Sequence, residues 1–271
     1  MEIFLHKKEA KNIWECLIGG RVKGGLIIVL SARLKAEIIK DNQDGTWLVK
    51  FNLSDNKFFA EINKIGQVPL PPYIKRAKSL ATDKNNYQTV FADKHKVGSA
   101  AAPTAGLHFT KRLLEKIKAR GIKIEFVTLH IGLGTFAPIK TENVKEHKMH
   151  SEFVSISPRV CRQILAAKKE GRRVIAVGTT SCRALESAAS LGLLSEQSVK
   201  TSLSFWTEIF IYPGYKFKII DALITNFHLP SSTLMMLVSA LGGKKNLEKA
   251  YQEAVAKKYR FFSYGDVMFV N

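Results

Sequence analysis

The sequence predicts an α/β main domain with a mixed sheet, preceded by a small all-β, barrel-like domain. Three observations carry this: short β-type runs crowd residues 1–60, a proline cluster follows at 69–72, and beyond it helical and strand periods alternate. The length of 271 residues exceeds a typical domain of about 100–150 residues, so two domains are expected, over 1–66 and 67–271. Hydrophobic residues at 46% and charged residues at 24% are globular proportions, which argues against a disordered or fibrous chain.

In the first part, Leu26 to Leu30, Ala36 to Ile39 and Thr46 to Phe51 are strand-like and are separated by Gly24-Gly25 and Asp44-Gly45, the pattern of an antiparallel unit. The stretch Gln67 to Tyr73 contains Pro69, Pro71 and Pro72, which lack amide donors and restrict the residues before them, so the boundary falls there. A helix is expected from Thr110 to Arg120 and a strand from Lys123 to Thr128. Ser157-Pro158 supplies a cap and first turn for a helix whose apolar positions are Val160, Ile164 and Leu165. Arg173 to Val177 then reads as a buried strand ending at Gly178, Thr207 to Tyr215 as a strand and turn, and Asp221 to Pro230 as an apolar strand whose end carries Asn226 and His228. Ser231 to Leu241 is apolar nearly all round and stops at Gly242-Gly243, a buried helix; Leu247, Ala250, Tyr251, Ala254 and Val255 mark a final amphipathic helix.

Forty-two Lys and Arg against 23 Asp and Glu give a net charge of +19, which points to a polyanionic partner. The cations are interleaved with apolar positions, as at Lys111 to Lys118 and Lys244 to Arg260, so they belong to folded faces rather than to a tail. The competing reading is a generally solvated surface. Cys16, Cys161 and Cys182 are far apart and odd in number, implying a reducing cytosol. Neither a signal-peptide run nor a membrane-length apolar stretch occurs, so a soluble, cytoplasmic chain is expected.

Four loops are suited to chemistry. Ala101 to Thr110 surrounds His108 with small residues, so a ligand can approach backbone amides near Thr104 and Gly106 while the imidazole carries a proton; the plain alternative is a tight loop with His108 satisfying a carbonyl. Thr128 to Phe136 carries His130, Gly132 and Gly134, half of a glycine-rich loop without the third glycine or the helix of a dinucleotide fingerprint. Gly178 to Arg183 joins strand to helix, where free amides, Thr179, Thr180, Ser181 and the Arg183 fork would suit a carboxylate; a simple N-cap explains one hydroxyl but not three beside an arginine. Glu208, Asn226 and His228 sit at strand ends, where open α/β sheets bind ligands. His147, His150 and Glu152 raise zinc, but no metal-ligand spacing supports it, and no metal is expected.

The segments PLPPYIKR, AAPTAGLHFT, VTLHIGLGTF, HKMHSE, VGTTSCRALE, TEIFIYPGYKF, DALITNFHLPSSTL and YRFFSYGD occur in that order from Pro69 to Asp266. Together they closely resemble the S-adenosylmethionine:tRNA ribosyltransferase-isomerase family, while residues 1–65 resemble that family's inserted β-barrel only loosely. The resemblance implies S-adenosylmethionine as co-substrate and, as partner, a tRNA carrying 7-aminomethyl-7-deazaguanine at the wobble position. Epoxyqueuosine would form, with release of adenine and methionine. It implies no metal and no membrane, and a monomer is expected. On residue chemistry, His108 or His130 would handle protons, Glu208, Asn226 and His228 would line the pocket, and Thr104, Gly106, Gly132, Gly134, Thr179, Thr180 and Arg183 would hold the co-substrate. Family members begin with YPxxPRDxSRLL-like and LNDTRVxPARL-like stretches that do not occur here, so an abbreviated chain lacking sheet and pocket elements is expected. The alternatives are a noncatalytic tRNA-binding remnant of the family and an unrelated small-molecule transferase.

Overall fold

The computed structural model describes residues 1–71, 74, 82–93, 95–96, 98–99, 101–131, 149 and 151–271. The chain divides into two units, Met1–Lys84 with Val97–Ala101, and Asn85–Lys96 with Ala102–Asn271.

The first unit holds β1 (Glu2–Ala10), β2 (Ile13–Gly19), β3 (Ile27–Val29), β4 (Lys35–Asp41) and β5 (Trp47–Phe51), antiparallel in the order β1-β2-β5-β4-β3. Alternation fixes its faces: in β4, Ala36 and Ile38 are fully buried while Lys35, Glu37 and Ile39 point outward. The Asp44-Gly45 turn forms as expected. Gly45 adopts φ +93°, and the Asp44 carboxylate accepts the Thr46 amide at 2.9 Å and the Thr46 hydroxyl at 2.6 Å.

This unit is not all-β. The helix α1 (Asp55–Ile65) lays Phe58, Phe59 and Ile62 on the apolar face, with the Trp14 and Phe58 rings stacked 5.6 Å apart. Among the described residues no pairing joins β1 to β3, and the helix packs on the inner face of the sheet.

At the division between the units lies the helical turn α2 (Asp83–Asn86). The second unit continues through a 3-10 turn (Thr104–His108), α3 (Lys111–Ala119), β6 (Thr128–His130), β7 (Glu152–Ile156), α4 (Pro158–Lys169), β8 (Ile175–Val177) and α5 (Thr179–Ser190). A second 3-10 turn (Gln197–Val199), β9 (Leu203–Thr207), β10 (Ala222–Asn226), α6 (Thr233–Gly242), α7 (Lys244–Ala256) and β11 (Val267–Val270) complete it. It has two three-stranded sheets. One is antiparallel, β6-β7-β9; the other is mixed, with β8 parallel and β11 antiparallel to the central β10. The α/β class with a mixed sheet is thus present.

The expected helix caps are in place. The Ser157 hydroxyl accepts the Val160 amide ahead of Pro158, and Ser232 accepts the Met235 amide at 3.1 Å. Strand limits differ from expectation in the second unit, and the strand expected over Arg173 to Val177 is β8, Ile175–Val177, with Ile175 exposed. The one expected over Lys123 to Thr128 begins at Thr128, because its partner β7 ends at Ile156, where Ser157 starts α4 and leaves the earlier residues nothing to pair with. The strand expected at the start of Thr207 to Tyr215 lies earlier, as β9, Leu203–Thr207: β7 runs out at the pair Glu152↔Thr207, and the chain then turns inward so that Ile211 enters the core.

The core gathers around α5, in which every residue from Cys182 to Ala188 is buried. It packs with Val154 and Ile156 from one sheet, Ala176 and Leu223 from the other, and Leu237 and Val238 from α6. Fully buried Glu186 accepts the Tyr215 hydroxyl and the amides of Lys218, Ile219 and Ile220, which pins the segment entering β10 to α5. All three cysteines are buried and free. Among the described residues no helix is long and apolar enough to cross a membrane.

Candidate active site

The parallel register of β8 and β10 places Ile224 opposite Val177, where β8 ends, and β10 continues to Asn226. Gly178 follows at φ +89°, a conformation that favours glycine, and its amide donates to the Ile224 carbonyl at 2.8 Å before α5 begins at Thr179. The 3-10 turn lies beside it, with the Ala105 methyl 4.0 Å from where a Gly178 side chain would start. This is the carboxyl end of a parallel pair next to a helix start, a position where ligands bind in open α/β sheets.

Asn226, only 2% exposed, ties three segments together there. Its Oδ1 accepts the Thr104 hydroxyl at 3.1 Å, while its Nδ2 faces the Gly265 carbonyl at 3.4 Å and His108 Nε2 at 3.3 Å. The Gly265 carbonyl accepts from Nδ2, which orients the amide beside the His108 ring. Burial holds the His108 pKa below its ordinary value, helped by the Arg260 charge; the Asp266 carboxylate and the Gly265 carbonyl push the other way. A neutral imidazole at neutral pH is able to accept a proton.

The turn that supplies Gly265 is closed twice over. Arg260 donates its amide to Asp266 Oδ2 at 2.8 Å and its guanidinium to Oδ1 at 2.9 Å, and the Asp266 amide returns to the Arg260 carbonyl. A methyl on Gly265 would lie 2.4 Å from the Phe261 carbonyl carbon. Gly265→Ala is therefore expected to shift this turn, withdraw the carbonyl from Asn226 and His108, and lower turnover at least tenfold by analogy with other misplaced catalytic groups. Steady-state kinetics alongside a melting curve would check it; unchanged kcat would mean the turn has no part in the site. This turn was missed from sequence apart from its presence in YRFFSYGD, since nothing local shows that it meets a residue 39 positions away.

The other expected residues are distributed as follows. Thr179 is buried and Thr180 half-buried at the start of α5. Arg183 is 5% exposed, and its guanidinium is committed to Glu152 Oε2 at 2.7 Å and to the Ile209 carbonyl at 3.2 Å, leaving Nη2 without a partner among the described residues. Glu152 thus pairs with an arginine, where the sequence had offered it beside two histidines as a metal ligand. Gly106 is buried, and its missing side chain makes room for Thr89 and Phe91. His130 ends β6 with its ring 5.8 Å from Phe153. Glu208 is exposed one residue beyond β9. Gly132, Gly134, His147 and His150 lie outside the described residues; among the described ones no three His, Cys, Asp or Glu side chains form a metal-binding group.

His228 is not gathered with His108. Its Nε2 bonds Thr225 Oγ1 at 2.8 Å, and alternation along β10 points Thr225 to the face opposite Asn226. The His228 amide donates to the Tyr251 hydroxyl at 2.7 Å, and burial pushes its imidazole down to about 4. Because the folded value lies below the unfolded one of about 6.5, the neutral ring's contribution to stability is complete above that pH and is lost as pH falls toward 4. Urea midpoints measured between pH 7 and 4.5 should fall more steeply for the native chain than for His228→Gln; parallel curves would contradict the burial argument.

Comparisons with known proteins identify the family. A family model described as queuosine biosynthesis protein matches residues 1–270. The S-adenosylmethionine:tRNA ribosyltransferase-isomerase of Acetivibrio thermocellus is 50% identical over the whole of this chain and 77% of its own length. The Clostridium kluyveri protein of the same name is 51% identical with the same coverage. A crystal structure of S-adenosylmethionine tRNA ribosyltransferase from Thermotoga maritima superposes with a TM-score of 0.52 at 34% identity, covering 99% of this chain and 74% of that one. On a match of this extent, the chain belongs to the queuosine biosynthesis protein family.

Proposed function

We propose that the chain is an S-adenosylmethionine-dependent tRNA ribosyltransferase-isomerase, transferring and rearranging the ribosyl group of S-adenosylmethionine onto 7-aminomethyl-7-deazaguanine at the tRNA wobble position. The observation that supports it most is the family match along residues 1–270 with relatives of that name at about half identity. The sulfonium acidifies the C5′ protons of the ribose; removal of one gives an ylide that drives ring opening and loss of adenine. Epoxyqueuosine on the tRNA, adenine and methionine are the products.

In this reading the co-substrate lies across the ends of β8 and β10. His108, set by Asn226 and Thr104, exchanges protons at the sugar or adenine, and the start of α5 at Thr179 and Thr180 takes the methionine carboxylate. Arg183 contributes its unpaired Nη2–H from beneath, because its charge is already balanced by Glu152. His130 is the second proton-handling candidate, and Glu208 and His228 stand at the margins. Gly106 is taken up with packing against Thr89 and Phe91, so Gly132 and Gly134 are the glycines left to let a ligand near the main chain, and no metal takes part. Residues 67–271 serve as the catalytic domain and 1–66 as the smaller one, in a cytoplasmic monomer.

The tRNA is met by cations. In α3, which starts three residues after His108, Lys111, Arg112, Lys116 and Lys118 are exposed, and a chain with a net charge of +19 should bind RNA in a salt-sensitive way. Purified protein incubated with S-adenosylmethionine and tRNA bearing the precursor base should release adenine, and should release none when either substrate is omitted. Absence of adenine, with tRNA still bound, would overturn the enzymatic reading in favour of a noncatalytic tRNA-binding protein.

A further inference from the structure

The β6-β7-β9 sheet turns one face to the core, and on the other Ser204 and Trp206 are exposed. Leu129, Val154 and Phe205 align across the strands toward the core. Alternation therefore puts His130, Phe153 and Trp206 in one row on the opposite face, and Thr128, Ser155 and Ser204 in the next. The aromatic row is continuous, with ring centroids 5.8 Å apart for His130–Phe153 and 5.5 Å for Phe153–Trp206. Trp206 is 58% exposed, Phe153 half-buried. Along the hydroxyl row, Lys96 reaches Thr128 Oγ1 with its Nζ at 3.0 Å.

A face meant only for water has no use for a row of rings, and a face meant for hydrophobic docking is not bordered by three hydroxyls and an ammonium. We propose that this face is a stacking platform for unpaired nucleotides of an RNA loop. Each base offers a π-face to Trp206 and Phe153 whatever its identity, while the hydroxyls and Lys96 reach sugar hydroxyls and phosphates. Three strands about 4.8 Å apart spread the row over roughly 10 Å, the reach of two or three splayed nucleotides. The net charge of +19 supplies the complementary attraction for a polyanion. The inference rests on the tRNA reading above, and it assigns the unpaired loop around the modified base, rather than the stem, to this sheet.

The test compares a tRNA anticodon stem-loop with the same stem closed as a continuous duplex, binding the full chain at fixed salt. Trp206→Ala should weaken stem-loop binding at least about fivefold, the lower end of what one stacked base contributes, and should leave duplex binding unchanged. Trp206→Phe should restore most of the loss, and in turnover assays the alanine variant should raise KM for tRNA with kcat little altered. Undiminished stem-loop binding by Trp206→Ala, or equal losses for loop and duplex, would overturn the platform. So would a concentration-dependent self-association that Trp206→Ala abolishes while RNA affinity stays the same, which would make the face a contact between copies. Adenine release by the unaltered chain separates the two readings: release with Trp206-independent binding removes the platform alone, and Trp206-dependent loop binding without release removes the enzymatic reading alone.

Discussion

Replacing Glu152 with alanine should destabilise the protein by about 3–5 kcal/mol, the usual cost of leaving one member of a buried ion pair without its partner. Arg183 and Glu152 are 5% and 2% exposed and 2.7 Å apart. Without the carboxylate, the guanidinium would keep the Ile209 carbonyl but lose its only charged partner among the described residues. The pair also joins the first residue of β7 to the first turns of α5, so its loss loosens the antiparallel sheet from the helix that begins the proposed carboxylate site. A lowered urea midpoint at unchanged slope would register the effect. Glu152→Gln, which keeps an acceptor, should lose less, and replacing both residues with apolar ones of similar size should recover much of the stability. Equal stability of the Glu152→Ala and native chains would mean that the guanidinium is solvated, and with it the account of Arg183 would fail.

Replacing His108 with alanine should lower the rate of adenine release about 10²–10⁴-fold, the range for removal of a positioned proton carrier, with tRNA affinity nearly intact. Burial lowers the His108 pKa, so the acid limb of kcat/KM should lie below the ordinary histidine value of about 6.5, with activity falling as the ring becomes protonated. Asp266→Asn removes a carboxylate that raises this pKa and should move the limb further toward acid. Rapid-quench measurement of adenine across pH would follow both variants. Unchanged release by His108→Ala would exclude the residue from the mechanism and leave His130 as the proton carrier.

The class of the fold was legible because it depends on local pattern. Apolar runs at Ile175 to Val177 and Ala222 to Asn226, capped helices at Ser157 and Ser232, and the Asp44-Gly45 turn each announce themselves within a few residues. Strand ends were not legible, since Thr128 and Thr207 begin or stop pairing according to where β7 ends. The helix that covers the first sheet has no place in an all-β domain over 1–66, although Phe58 and Ile62 already have helical spacing.

The candidate site divides in the same way. His108, Asn226 and Thr104 were named from small-residue loops and strand ends, and they meet although 118 residues separate His108 from Asn226. His228 and Asn226 look equivalent in sequence, but alternation along β10 sends the partner of His228 to the other face. Arg183 resembled an open anion clamp; only tertiary packing brings it a buried carboxylate. Gly265 and Asp266 gave no local sign of their role because their contacts are formed entirely across the chain.

The sulfonium nucleoside is proposed to bind at the ends of β8 and β10. A crystal structure of the chain soaked with S-adenosylmethionine tests this most directly. The predicted result is adenosyl density within hydrogen-bond reach of His108 and Asn226, with the methionine carboxylate at the amides of Thr179 and Thr180. Density at another face of the second unit, or an empty site at saturating ligand, would contradict it.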